Sequence, residues 1–445
     1  MKVYDKLKIQ IKKIPGINNL ENRIQLLERE LKDSRYNSVQ IGCQAVDYRL
    51  RLKKMNNEKI NVVFVCHRPA VWESLHSVYD ALKADADFNV NIVAIPNKKE
   101  LPKLGLNHET YETEGAEEFW KDYGCINGYD YRTKEWFDLR TLKPDYVFFQ
   151  QPYNMTRCEA YKSWNVAQYA KICYLNYFGA IGVDEIYEEC LPIDFLQDCS
   201  YYFTQNKNDN DFIIEYFKKF RNITNIIMTG YPKYESVVYK KYIASNLWNT
   251  KLKGYRIVWT PRWTTNEGNC HFFDYKDRFI DYCNKNEKKV DLVFRPHPQA
   301  FSEWESTGEF TKSQADEYRS IYETTENMHI DTSSEYLSLI TSSDCLISDH
   351  SSLILEYFLT GKPIIFCPGK ANNLEESPFK LLMNGFYIAE SWDKIENILV
   401  DLRNGNDYLY KKRQELLKEV FYLPKESASE QIKNIIKANA DKVIG

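Results

Sequence analysis

Two series of short, uninterrupted apolar runs decide what this chain can fold into. NVVFVC (61–66), VNIVAI (90–95), DYVFFQ (145–150), KICYL (171–175), SYYFT (200–204) and NIIMTG (225–230) form the first series. RIVWT (256–260), DLVFR (291–295), MHI (328–330), DCLIS (344–348) and PIIFC (363–367) form the second. Longer stretches of helical periodicity lie between them. Runs that are apolar throughout suit strands buried on both faces, and such strands belong to parallel sheets covered by helices. The rhythm restarts after TGYPKYE (229–235), so the economical reading is two doubly wound α/β domains in tandem. Ligands of such domains bind at the carboxyl ends of the strands, here in the cleft between the two. At 445 residues the chain is too long for one core, which agrees with this division.

The expected boundaries are 1–57 for an N-terminal helical or coiled-coil segment, 58–245 and 246–424 for the two domains, and 425–445 for a closing helix. Ser427 and Glu430 spell a capping box ahead of that last helix. Near the N-terminus, Ile17, Leu20, Ile24, Leu27, Leu31, Ser34, Ser38, Ile41, Ala45, Tyr48 and Leu52 recur at alternating spacings of three and four. This is the a/d rhythm of a heptad, and it predicts a long helix. Two uses compete for it: a self-associating coiled coil, giving a homo-oligomer, or a helix lying against its own globular domain. Ahead of it, Lys2, Lys6, Lys8, Lys12 and Lys13 alternate with Val3, Leu7, Ile9 and Ile11. That segment is either a solvated basic tail or a peripheral contact with an anionic membrane surface.

Charge and cysteine usage exclude several classes. A formal net charge of −4 gives no global basic field, so no nucleic-acid partner is expected and any anion site must be local. Eleven cysteines are scattered singly with no CxxC pair, the pattern of reduced thiols in a cytoplasmic protein. No h-region opens the chain and no run of roughly eighteen apolar residues occurs, so neither a signal peptide nor a membrane span is expected.

Chemistry-bearing residues cluster after strands of the second series. Arg262 follows the first of these in VWTPRWT, and Arg295 and His297 follow the second in FRPHPQ. Ser348, Asp349, Ser351 and Ser352 stand where the fourth strand hands over to a helix containing Glu356. A helix N-terminus offers unpaired N–H groups to an anion, although Ser and Asp are also ordinary helix caps. Glu356, one turn on, is placed to accept hydrogen bonds from polyol or ribose hydroxyls. Two prolines lock His297, an arrangement better suited to positioning a side chain than to continuing a strand. Two arginines, a histidine and a helix start fit a diphosphate, whose transfer depends on charge stabilisation and in-line positioning.

These stretches, YLSLITSSDCLISDHSSLILEYFLTGKPIIF with FRPHP, TPRW and TGYPK, resemble the CDP-glycerol glycerophosphotransferase family, enzymes of teichoic-acid and related surface-polymer synthesis. The resemblance spans roughly residues 200 to 435. It implies a GT-B fold of two Rossmann-like domains, with CDP-glycerol or a similar CDP-polyol held mainly by the second. It also implies that Arg262, His297, Ser351 and Ser352 contact the diphosphate, with Asp349 and Glu356 near the helix start and the donor's hydroxyls. The implied reaction is attack of an acceptor hydroxyl on the donor's β-phosphate, expelling CMP.

The first half departs from the family pattern. Members carry a W-H-G-T type motif whose histidine is the general base, whereas the matching stretch here, CYLNYFGAIG (173–182), has no histidine. His67 in VCHRPAVWES is the substitute expected from the sequence, with Glu73 behind it, and Arg68 would hold an acceptor phosphate. The assembled expectation is a transferase, catalytic through His297, His67 and Glu73, that modifies a lipid-linked or oligosaccharide acceptor. It would work in the cytoplasm, peripheral at the inner face of a bacterial plasma membrane. No cofactor is called for and metal dependence is not expected, since no D-x-D motif of the metal-dependent kind is recognised. A GT-B glycosyltransferase, a sugar-nucleotide epimerase and a non-catalytic scaffold subunit remain alternatives, because fold alone does not separate them.

Overall fold

The computed structural model describes residues 17–100, 109–112, 115–179, 188–239, 245–249, 251, 253–268, 270–333, 336–351, 353–369 and 379–439. The basic tail and Ser352 lie outside these. Each series of apolar runs forms one parallel sheet. The first contains β1 (Ile60–Cys66), β2 (Phe88–Ala94), β3 (Ile126–Asn127), β4 (Tyr146–Phe149), β5 (Lys171–Leu175), β6 (Cys199–Thr204) and β7 (Asn225–Met228). They lie in the order β7-β6-β5-β4-β1-β2-β3. The second contains β8 (Tyr255–Thr260), β9 (Val290–Phe294), β10 (Met328–Ile330), β11 (Cys345–Ser348), β12 (Ile364–Phe366) and β13 (Tyr387–Ile388), in the order β10-β9-β8-β11-β12-β13. The two strands of these sheets missing from the sequence expectation, β3 and β13, are edge strands of two residues each, too short to leave a pattern.

In both sheets the direction of winding reverses next to the first strand, between β1 and β4 and between β8 and β11. Loops leaving the sheet on either side of such a reversal diverge and open a crevice. His67 and Gln150 stand at one reversal, and Arg262 and Asp349 at the other.

Helix α1 (Ile17–Met55) is the long helix expected, but the face it buries is not the heptad seam. Val39, Cys43, Val46 and Leu50 pack into the first domain. Charge fixes this docking. Arg49 and Lys53 pair with the fully buried Asp145 at 2.7 and 2.6 Å, and Arg35 pairs with Asp198. A carboxylate so buried is tolerable only when its charge and lone pairs are met, and the Asn61 N–H at 2.8 Å adds a third donor to Asp145. The seam residues Ile24, Leu27, Leu31, Ile41, Tyr48 and Leu52 remain exposed.

Helices α2 (His76–Ala84), α3 (Leu353–Phe358) and α4 (Ala428–Ala438) complete the frame around the cleft. The last of these packs against the first domain. Ile432 and Ile436 share a core with Val78 and Leu82 of α2. The Tyr146 hydroxyl donates to the Ile436 carbonyl at 3.0 Å, and Lys437 pairs with Asp85 and Asp87 at 2.9 and 2.6 Å. That same core runs through Tyr231 and Tyr234 to Ile354 and Phe358, so apolar packing joins the two domains behind the cleft.

Candidate functional site

On the second domain, Asp349 ties its own loop to both ends of the loop that follows β8. Its Oδ1 accepts from the backbone N–H groups of Arg262 and His350, and its Oδ2 accepts from that of His271 at 2.9 Å. Burial pushes its carboxyl up to about 6, against the pull of those three donors. The Ser348 hydroxyl is likewise occupied, donating to the Thr260 carbonyl at 2.7 Å. Both residues were expected to touch a donor. Their polar atoms are instead used to fix the ends of β8 and β11, and what they position is the backbone on which Arg262, His350 and Ser351 stand. The Ser351 hydroxyl accepts from the Leu353 N–H at 3.3 Å, a helix-start contact. With only six residues, α3 contributes few aligned peptide dipoles, so the side chains around it supply most of the positive field.

Arg262 and His297 meet at this place. Burial and the Arg262 charge hold the His297 imidazole below its ordinary value, leaving it neutral at pH 7. The Gln299 N–H points to its Nδ1 at 3.2 Å, which assigns the ring proton to Nε2. Trp263 stacks on the same ring. The Arg262 guanidinium donates to Thr264 Oγ1 at 2.9 Å and pairs with Glu267 at 2.7 Å. His350, missed in the sequence, stands beside the pair, and burial and then Arg262 depress its pKa also. The only signal for it was its place inside the S-D-H-S-S stretch, where the cap-like residues on either side drew the reading.

Two expectations change here. Arg295 pairs with Asp331 and donates to the Ser333 carbonyl at 2.9 Å, so its terminal nitrogens brace the loop after β10. Glu356 is buried, with one oxygen paired to Lys233 of the TGYPK stretch and the other without a partner among the described residues. It reaches across the domain boundary instead of facing open solvent.

On the first domain, the side chain of Gln150 clamps the loop after β1. Its Oε1 accepts from the N–H groups of His67 and Arg68 at 2.8 and 3.0 Å, and its Nε2 donates to the Arg68 carbonyl at 3.2 Å. The partner of the His67 ring is Gln151, whose Oε1 lies 2.8 Å from Nε2, while Glu73 pairs with His76 at 3.3 Å. An amide oxygen can only accept, so His67 carries its proton on Nε2 and its lone pair on Nδ1. Only 2% exposed, it has a pKa driven down to about 4 by burial and by the buried Arg157. Such a ring is a weak proton acceptor at neutral pH, which counts against the base role expected for it. Arg68 is exposed at the rim.

Among the described residues no three His, Cys, Asp or Glu side chains gather as metal ligands would, and no helix is long and apolar enough to cross a membrane. The chain does contain D-x-D tripeptides. Asp85 and Asp87 are the pair engaged by Lys437, and the buried Asp209 of another accepts from the Gln205 N–H at 2.7 Å.

Solved structures with a similar fold include a variant of the wall teichoic acid polymerase TagF, at 11% identity and a TM-score of 0.53 over 96% of this chain and 98% of that one. Others are a putative UDP-N-acetylglucosamine 2-epimerase from Listeria monocytogenes (11% identity, TM-score 0.55, 87% and 98% covered) and the Neisseria meningitidis UDP-GlcNAc 2-epimerase bound to UDP-GlcNAc (12%, 0.53, 86% and 100%). At such identities the likeness is one of fold, and the architecture is GT-B, two Rossmann-like domains about a cleft. No curated protein matches the sequence. The chain belongs to the CDP-Glycerol:Poly(glycerophosphate) glycerophosphotransferase family, whose model matches residues 196–437. Membership makes it a transferase.

Proposed function

We propose that the protein transfers glycerol phosphate, or a related polyol phosphate, from a CDP-activated donor to a hydroxyl of a surface-glycan or teichoic-acid-like acceptor. The observation that carries this reading is the convergence of Arg262 and His350, on the two loops that Asp349 ties together, with His297 beside Arg262. Arg262 meets the diphosphate with a guanidinium, and His297 adds a neutral N–H donor from Nε2. The acceptor oxygen attacks the β-phosphorus, the bond to the bridging oxygen breaks, and CMP leaves with the electron pair. In a loose transition state the charge sits on phosphoryl oxygens, so fixed donors do more than a strong base. The acceptor's proton can pass to water or to a phosphoryl oxygen as the new bond completes.

In this reading His67, Gln150 and Gln151 shape the acceptor side and exposed Arg68 attracts an anionic group at the rim. Glu73 and Glu356 act through His76 and Lys233, and Ser351 lines the donor side. The reaction needs no cofactor, and a chelator is expected to leave it largely intact. A cytoplasmic place at the inner face of a bacterial membrane follows from lipid-linked acceptors, and a second copy is the partner proposed for the exposed seam of α1.

Incubation with CDP-glycerol, CDP-ribitol and a set of UDP-sugars, with and without a glycan acceptor, tests the proposal. CMP release that Arg262→Ala and His297→Ala abolish supports it. UDP release would establish the glycosyltransferase instead, and binding without turnover the scaffold.

A further inference from the structure

The first domain holds a second recess, away from the cleft. Residues 136–140 lead into β4 and residues 160–169 lead into β5, so they lie at the amino ends of strands whose carboxyl ends face the donor. Strands of this length separate the two places by about 13 Å or more. Between these segments lies a cavity of about 370 Å³, within the range of about 300–1,000 Å³ usual for small-molecule sites.

Its walls have a definite chemistry. Trp136, Tyr161 and Tyr169 give it aromatic surface, with the Trp136 and Tyr161 rings 5.3 Å apart. Tyr161 is fully buried, its hydroxyl donating to the Phe137 carbonyl at 2.7 Å, so it backs the recess, and the accessible aromatic faces are those of Trp136 and Tyr169. Asp138 and Arg140 are joined by parallel contacts of 2.9 Å, and Gln168 is exposed beside them. Among the described residues, neither the Trp136 indole N–H nor the Tyr169 hydroxyl has a hydrogen-bond partner. Because the acid and the guanidinium cancel, the recess holds no net field for an anion. It offers aromatic faces for C–H groups and, around them, the Trp136 N–H and the Tyr169 hydroxyl, beside a joined acid–guanidinium pair and the Gln168 amide, whose NH2 donates to the Trp164 carbonyl at 3.2 Å.

That combination fits a pyranose ring, apolar on its axial faces and hydroxylated around its edge. We propose that this cavity binds one or two neutral sugar units and anchors a glycan by a part remote from the reacting hydroxyl. Its use in holding the acceptor rests on the transferase reading, whereas sugar binding itself does not. An acceptor held at both places would be positioned before reaction, and its loss would raise the KM for the acceptor without changing the KM for the donor.

The test uses the full chain without donor, titrated with glucose, galactose, N-acetylglucosamine, N-acetylgalactosamine and their β-linked disaccharides. Saturation-transfer NMR and tryptophan fluorescence report binding. The expected result is saturable binding of at least one of these sugars, weakened about tenfold by Trp136→Ala. Tyr169→Phe and Arg140→Ala, which leave the aromatic packing in place, should each weaken it by about threefold. Arg262→Ala should leave sugar binding intact while abolishing CDP binding. No saturable binding by any probe overturns the proposal, as does binding indifferent to Tyr169→Phe and Arg140→Ala, or binding lost in Arg262→Ala. Failure of CDP to bind the wild type, with sugar binding retained, would sink the transferase reading and leave this one standing.

Discussion

The indole of Trp263 lies face to face with the imidazole of His297, their centroids 5.1 Å apart and their planes 15° from parallel. The Trp263 carbonyl is held in turn by the indole N–H of the buried Trp304 at 2.8 Å. Stacking on a braced ring fixes the direction of the His297 Nε2–H. Aromatic pairs of this kind contribute about 0.5–1.5 kcal/mol, so Trp263→Ala should lower kcat/KM for the CDP donor by up to about tenfold, and Trp263→Phe should restore most of it. CMP release under steady-state conditions reads both.

Glu267 now occupies Arg262, the guanidinium proposed to meet the diphosphate, at 2.7 Å. A ligand phosphate must displace that carboxylate. Removing the charge while keeping the shape, as in Glu267→Gln, should lower the donor KM by about two- to fivefold, the worth of an exposed ion pair, with kcat little changed. A raised KM would show that Glu267 supports the loop more than it competes for the arginine.

Asp349→Asn tests the knot. An amide keeps one acceptor oxygen but turns an NH2 toward a backbone N–H, leaving at least one buried donor unmet at a cost of about 1–3 kcal/mol. Thermal denaturation should register that loss, and calorimetry should show CDP binding lost with it. A stable variant that binds CDP as the wild type does would mean that the two loops hold their places without the carboxylate.

His67 supplies a pH test with a definite sign. Its folded pKa lies near 4 and its unfolded value near 6.5, so the unfolded chain binds the extra proton between these values. Stability from this residue is therefore complete above about pH 6.5 and declines toward pH 4, by about 3 kcal/mol in all. Denaturant titrations of wild type and His67→Gln should diverge over that window. The same substitution should cost less than about tenfold in kcat, whereas loss of a general base typically costs about 10²–10⁴.

Gly179 closes the described part of the loop after β5. A Cβ there would lie 2.8 Å from the Tyr234 hydroxyl and 2.9 Å from Leu355 of α3. Gly179→Ala should cost about 1–3 kcal/mol by overpacking and lower kcat by holding the domains apart. A crystal structure of the variant superimposable on the wild type would contradict that.

The strands were legible because burial on both faces writes a continuous apolar run, as in Val62–Cys66 and Leu346–Ile347. Arg262 and His297 were legible for a related reason, since residues just past such runs, next to prolines, must stand at a sheet's carboxyl edge. Tertiary choices left no such trace. The helical rhythm of α1 showed that a helix forms, but its docking face was chosen by Asp145 and Asp198, far away in sequence. The serine and aspartate cluster advertised anion binding, yet Ser348 and Asp349 spend their polar atoms inside the fold. Arg157, whose buried charge adds to desolvation in suppressing the basicity of His67, carries no motif at all.

The return of α4 to the first domain has a mechanical meaning. Two separate stretches of polypeptide, one after Val238 and one before Ala428, now join the halves. A door hung on two hinges swings about the line through them and resists sliding or twisting. Opening to admit substrate should therefore be a rotation about one axis, and severing either strap should cost the motion its direction before it costs either half its fold.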